Sequence, residues 1–173
     1  EYFNQSEKTL YNVNYRQSAI YYCAICAMQE YYFSNDLSWL NEGIKKAEEA
    51  VVAAHTENQK ISSIKMLSEM YIEKKDFDKC EQLLLPYSRI GNPLGKMALF
   101  QLSIMYEKRG EIQKAADSWQ LYTVRFEYEK DIDEAYFRYG ELMYNFENYK
   151  KCIEVFDKYK TNYPQSKYLQ IAY

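Results

Sequence analysis

The chain has 173 residues, of which 47% are hydrophobic and 27% charged, and Tyr alone accounts for 20. A net charge of −3 gives no basic footprint for nucleic acid or an anionic membrane surface. No apolar run reaches the roughly 18 residues of a membrane-spanning helix, and 5 Gly with 3 Pro are too few for a turn-dense β-sandwich. These counts point to a helical protein with a tyrosine excess to explain.

The chain begins at Glu1, without Met or the basic-then-apolar pattern of a signal peptide. Residues 1–13 read as a tail or the end of a preceding helix. A long helix is predicted from about Tyr15 to Phe33, closed by Ser34-Asn35-Asp36. A second runs through Leu40, Ile44, Ala47, Val51 and Ala54, with Gly43, Ala47 and Ala50 small enough for close packing on the first. Residues 14–55 are thus a divergent helix pair.

Beyond this point the sequence repeats itself. Ile64, Leu67, Ser68 and Tyr71 are matched by Leu99, Leu102, Ser103 and Tyr106, and again by Tyr136, Tyr139, Gly140 and Met143. After a polar break come Phe77, Cys80, Leu84 and Tyr87; then Ile112, Ala115, Trp119 and Tyr122; then Tyr149, Cys152, Phe156 and Tyr159. The copies lie 35 and then 37 residues apart. Internal spacings of three, four and seven residues are helical, so each copy is a helix pair and one unit of a solenoid.

Starts and stops agree. Thr56 with Gln59, and Asp131 with Glu134, have capping-box spacing. Asn92-Pro93 reads as an N-cap followed by Pro at the first helical position. Gly110 suits a left-handed helix end, with Lys74-Lys75-Asp76 and Glu147-Asn148 in the same place in the other copies. Pro86 falls inside a second helix, which is expected to kink or end near Leu85, leaving a long connection over "SRIGNPLG".

The clear repeats are 58–91, 93–129 and 131–164, and a further helix is expected to start over 165–173. With 14–55 they make one unit, 14–173, that reads as an excerpt from a longer array.

The segments "LFQLSIMYEKRGEIQKAADSWQLY" and "YFRYGELMYNFENYKKCIEVFDKYKTNYP" resemble the tetratricopeptide repeat family. The resemblance covers about residues 58–164. It implies an all-α, right-handed α-solenoid of antiparallel helix pairs, a TPR-like superhelix that binds proteins and is not an enzyme. The 37-residue spacing and the endings "YTVRFEYEKDIDEAY" and "YKTNYPQSKYLQIAY" look like the subgroup found in bacterial cell-envelope proteins, the Tol–Pal-associated and outer-membrane assembly lipoprotein types. That subgroup implies a periplasmic or cell-envelope location, with a cytoplasmic one left open.

Catalytic and metal readings do not gather support. Cys23-x-x-Cys26 lies in an apolar helical run and has no second Cys pair to complete a zinc site, so both read as small packing residues. Cys80 and Cys152 hold the repeat position of Ala115. His55, the single histidine, sits at a helix end without a nucleophile pattern. Glu48-Glu49 and Asp131-Asp133 are not in a calcium-type loop. No cofactor or metal is expected.

Tyr71, Tyr87, Tyr106, Tyr122 and Tyr159 read as helix-packing residues with hydroxyls at the core edge. The first helix of each pair would line a concave groove. Lys65, Glu69, Ile72 and Glu73 fall on that side, then Phe100, Ile104, Glu107 and Lys108, then Glu134, Phe137, Glu141, Tyr144 and Asn145. Phe100, Ile104, Phe137 and Tyr144 have no core duty in this register and are candidate hot spots. The family's Lys/Asn carboxylate clamp is missing, because those positions hold Lys65, Glu69, Phe100 and Ile104. The acidic groove favours a protein or peptide with an apolar strip and basic flanks. The alternatives are an architectural or self-associating module with its groove filled by its own chain, or the regulatory arm of a larger enzyme.

Overall fold

The computed structural model describes residues 13–129 and 132–166. Among them there are only helices and connections: α1 (Val13–Ser34), α2 (Leu37–Val52), α3 (Glu57–Lys74), α4 (Phe77–Ser88), α5 (Pro93–Arg109), α6 (Ile112–Arg125), α7 (Ile132–Asn145) and α8 (Tyr149–Asn162). Each odd-numbered helix pairs with the next, each pair packs on its neighbour, and α3 also touches α5. This is the expected all-α helical repeat. The predicted tail up to residue 12, the capping residue Asp131 and residues 167–173 of the predicted further helix lie outside the described residues.

Local chemistry sets the helix limits. Thr56 and Gln59 form a reciprocal capping box at the start of α3. Asn92 accepts the Gly95 N–H, with Pro93 opening α5. At the other ends, Lys75, Gly110 and Glu147 occupy the left-handed region at φ 62°, 80° and 56°. The following N–H groups of Asp76, Glu111 and Asn148 reach back to the carbonyls of Tyr71, Tyr106 and Met143 at 2.8, 2.9 and 3.0 Å. These are Schellman closures at the same place in three successive pairs. Glycine fills one of the three.

α4 departs from the expectation at Pro86. The helix does not stop near Leu85; it runs on to Ser88 with Pro86 inside it. Pro86 deprives the Gln82 carbonyl of its helical donor, but Gln82, Leu85 and Pro86 are all on the exposed face, where water can take that bond. The cost shows as length, 12 residues against 14 in α6 and α8. Arg125 then donates a 2.6 Å hydrogen bond from its guanidinium to the Ser88 carbonyl, which tethers the end of α6 to the end of α4.

One core runs through the array from Ala24 to Tyr159. Close packing of α2 on α1 depends on Ala24, Ala27, Gly43 and Ala47; a Cβ at Gly43 would stand 3.3 Å from Met70 Cε. A closer approach occurs at Gly95, where a Cβ would lie 1.8 Å from the Ile90 carbonyl oxygen. Trp119, Tyr122 and Tyr159 are wholly buried.

Candidate functional site

The first helices of the pairs line a trough. Tyr21, Ile25 and Met28 of α1 face Ile61, Lys65 and Glu69 of α3 across a cleft of about 660 Å³. A second cleft, about 520 Å³, continues between α3 and α5 toward Glu134 of α7. Ile61, Lys65, Glu69, Gln101 and Ile104 border both, so the two clefts form one surface.

Apolar groups make the floor and carboxylates much of the rim. Ile61, Phe100 and Ile104 are half-buried, while Glu69 and Glu73 are exposed. Glu69 accepts from Gln101 Nε2 at 3.4 Å and sits 3.8 Å from Lys65 Nζ; with both partners half exposed, this pair contributes little. Tyr31 donates to Glu73 at 3.3 Å. Partial burial, then the Glu69 charge, raises the Tyr21 pKa; burial followed by Glu73 and Glu69 does the same at Tyr32. Glu134 is engaged by Arg138 at 3.0 Å, and Lys96 by Glu129 at 2.7 Å.

The predicted groove residues divide. Lys65, Glu69, Phe100 and Ile104 meet in the trough. Phe100 nevertheless has a core duty, contrary to the sequence register: its ring stands edge-on to Trp119 at 5.0 Å and to Tyr122 at 5.5 Å. Glu107 is half-buried and accepts the Trp119 indole N–H. Burial raises its pKa, an effect that the Trp119 hydrogen bond opposes. Phe137 also has a packing partner, Phe156, at 6.2 Å. Glu141 is exposed, and Tyr144, 62% exposed, stands edge-on to Tyr149 at 6.0 Å. None of Glu107, Phe137, Glu141 and Tyr144 borders the two clefts.

Sequence reasoning missed the α1 wall. Tyr21, Ile25, Met28 and Tyr32 form a stripe at helical spacing, which was a readable signal; the absence of a repeat register in this divergent pair hid its direction.

The thiols are not arranged for chemistry. Cys26 is exposed rather than packed, in contrast to the close-packing expectation for the Cys23-x-x-Cys26 pair. Burial pushes Cys80 up to about 12 and raises Cys152 as well, which keeps both protonated. Among the described residues no group of three or more His, Cys, Asp and Glu is placed to hold a metal ion. No helix among them is long and apolar enough to cross a membrane.

Residues 134–166, which cover most of α7 and all of α8, match the tetratricopeptide repeat family. No curated protein matches the chain. The match supports a tetratricopeptide repeat over these residues, and proteins of this family generally mediate protein–protein interaction as non-catalytic scaffolds.

Proposed function

We propose that this chain is a protein–protein interaction scaffold that holds an extended or helical segment of its partner in the trough of α1, α3 and α5. The carrying observation is the continuous half-buried apolar floor from Tyr21 to Phe100 beside the exposed Glu69 and Glu73. Affinity would come from burying that floor, and the carboxylates would select a partner with basic residues beside an apolar strip. The four helix pairs act as one binding unit in this reading. The 37-residue period supports a cell-envelope assembly as its setting.

Peptide-display selection against the full chain tests the idea. Selected segments should pair apolar residues with Lys or Arg, and Glu69→Lys with Glu73→Lys should cut their affinity at least tenfold without lowering Tm. Ile104→Asp should do the same through the floor. Selection of acidic segments, or binding indifferent to all three changes, would refute the assignment.

A further inference from the structure

We infer that the junction of α6, α7 and α8 is a second binding site, built to receive one tyrosine side chain of a partner protein. Two successive junctions of the same array are filled differently.

Between α4 and α5 the junction is full. The Tyr106 hydroxyl donates to Glu81 at 2.7 Å, and Lys114 Nζ lies over its ring, 5.2 Å from the centroid. Arg109 bridges Asp78 at 2.9 Å, Glu81 at 3.4 Å and Glu111 at 2.8 Å. The preceding junction repeats the core of this design: Tyr71 donates to Glu48 at 2.6 Å and Lys79 lies over its ring.

One repeat later every member but the lysine has changed. Offsets of 35 and 37 residues turn Asp78, Glu81, Tyr106, Arg109 and Glu111 into Gln113, Ala116, Met143, Phe146 and Asn148, while Lys114 becomes Lys151. These six replacement positions all line a pocket of about 380 Å³. The tyrosine ring and its acceptor are lost together, and the pocket lies where they would stand. The clasp has moved by one helical turn on each helix, because Tyr139 now donates to Gln120 at 3.5 Å and forms a wall instead of filling the space.

What is left matches a single phenol ring. Ala116, Met143 and Phe146 supply apolar contact; Gln113, whose amide donates to Asp117 at 2.8 Å, and Asn148, whose side-chain carbonyl accepts the Lys151 N–H at 3.3 Å, keep their remaining amide groups at the polar edge. Lys151, whose ammonium pairs with the exposed Glu154 at 3.2 Å, holds the position from which Lys79 and Lys114, themselves paired with carboxylates, cover a ring in the two filled junctions. The charges of Arg109, Asp78, Glu81 and Glu111 have no counterpart at the matching positions; the carboxylate that does border the pocket, Asp117, is exposed to solvent and already accepts from the Gln113 amide at 2.8 Å. The site is separate from the trough, which is lined mainly by first helices.

The test is a titration of the full chain, 13C-labelled at Met and Ala methyls, with N-acetyl-tyrosinamide, N-acetyl-leucinamide and p-cresol. The tyrosine probe should move the Met143 and Ala116 methyl signals saturably, with Kd on the order of 1 mM for so small a ligand. The leucine probe should bind at least tenfold more weakly. Ala116→Glu with Met143→Tyr rebuilds the internal clasp and should abolish the shifts; Ala116→Gln is the plug to use should the double variant not fold. The assignment is overturned by non-saturable shifts, by equal affinity for the leucine probe, or by unchanged affinity in a folded, plugged variant. p-Cresol binding more than tenfold tighter than the tyrosine probe would overturn the partner assignment in favour of a free phenol.

Discussion

In three successive pairs the first helix closes with the same backbone geometry, and only one of the three closures uses the residue that geometry prefers. Lys75 and Glu147 hold φ 62° and 56°, where an L side chain costs about 1–2 kcal/mol relative to the right-handed region. Glycine would remove that cost but would lose about 0.5–1 kcal/mol through the extra freedom of the unfolded chain. The net gain is about 0.5–1 kcal/mol for each of Lys75→Gly and Glu147→Gly. Both side chains are exposed and carry no side-chain bond among the described residues, so no tertiary contact is sacrificed.

The two sites belong to different hairpins, so their effects should add, giving about 1–2 kcal/mol in the double variant. In a chain of this size that is a rise in Tm of roughly 2–8 °C by circular dichroism or calorimetry. Gly110→Ala is the converse experiment. A Cβ there would have no atom within 4 Å, so a fall in Tm can only report the backbone, and it should be of similar size. A double glycine variant at or below wild-type Tm, with Gly110→Ala unchanged, would refute the view that left-handed closures limit these hairpins.

Gly95→Ala should show the opposite sign from an ordinary helix substitution. Replacing Gly by Ala inside a helix usually stabilises by about 0.5–1 kcal/mol, but here the methyl meets the Ile90 carbonyl, and a loss of about 3 kcal/mol or more is expected in denaturant titration. Tyr106→Phe should cost about 1 kcal/mol by removing the bond to Glu81, whereas Met143→Leu at the matching position, which has no such bond, should be near neutral in the same assay. Glu107 gives a pH test. Burial raises its folded pKa, so its contribution to stability is greatest below the unfolded carboxylate range and is lost as pH rises through the raised value. Glu107→Gln keeps an acceptor for the Trp119 indole, so its Tm relative to wild type should rise between pH 4 and pH 8; a constant difference would refute the assignment.

The array was legible because its period is set by packing that recurs. Ser68, Ser103 and Gly140, then Cys80, Ala115 and Cys152, are small in every copy because helices must approach there, and that requirement is visible in one sequence without relatives. The caps at Thr56, Asn92 and Gly110 were legible for the same local reason. Pro86 was misjudged because the penalty for a proline depends on which face of the helix loses its hydrogen bond, and that direction belongs to the tertiary structure. Phe100 and Phe137 were misjudged because a residue on the groove side of a helix can still reach a large neighbour on the paired helix; Trp119 is long enough to meet Phe100, and Phe156 meets Phe137 beside Gly140, where a Cβ would stand 2.5 Å from its ring.

Repetition hid the junction pocket for an instructive reason. The positions that stay apolar and small in every copy define the fold. The tyrosine and its carboxylate acceptor, present in two junctions as Tyr71 with Glu48 and Tyr106 with Glu81, are both missing from the third. Tyr106, Glu81 and Arg109 satisfy one another, so removal of one would strand a partly buried polar partner at a cost of about 1–3 kcal/mol. Met143, Ala116 and Phe146 avoid that cost because all three partners change at once. Joint replacement is therefore what stability alone demands, but stability alone would also favour filling the space. Larger apolar groups at 116 and 143 would close it, and the chain instead keeps an alanine beside a cavity edged by Gln113, Asn148 and Lys151. In a solenoid whose two preceding junctions are closed by a tyrosine from within, an open one is the natural place for a tyrosine from outside.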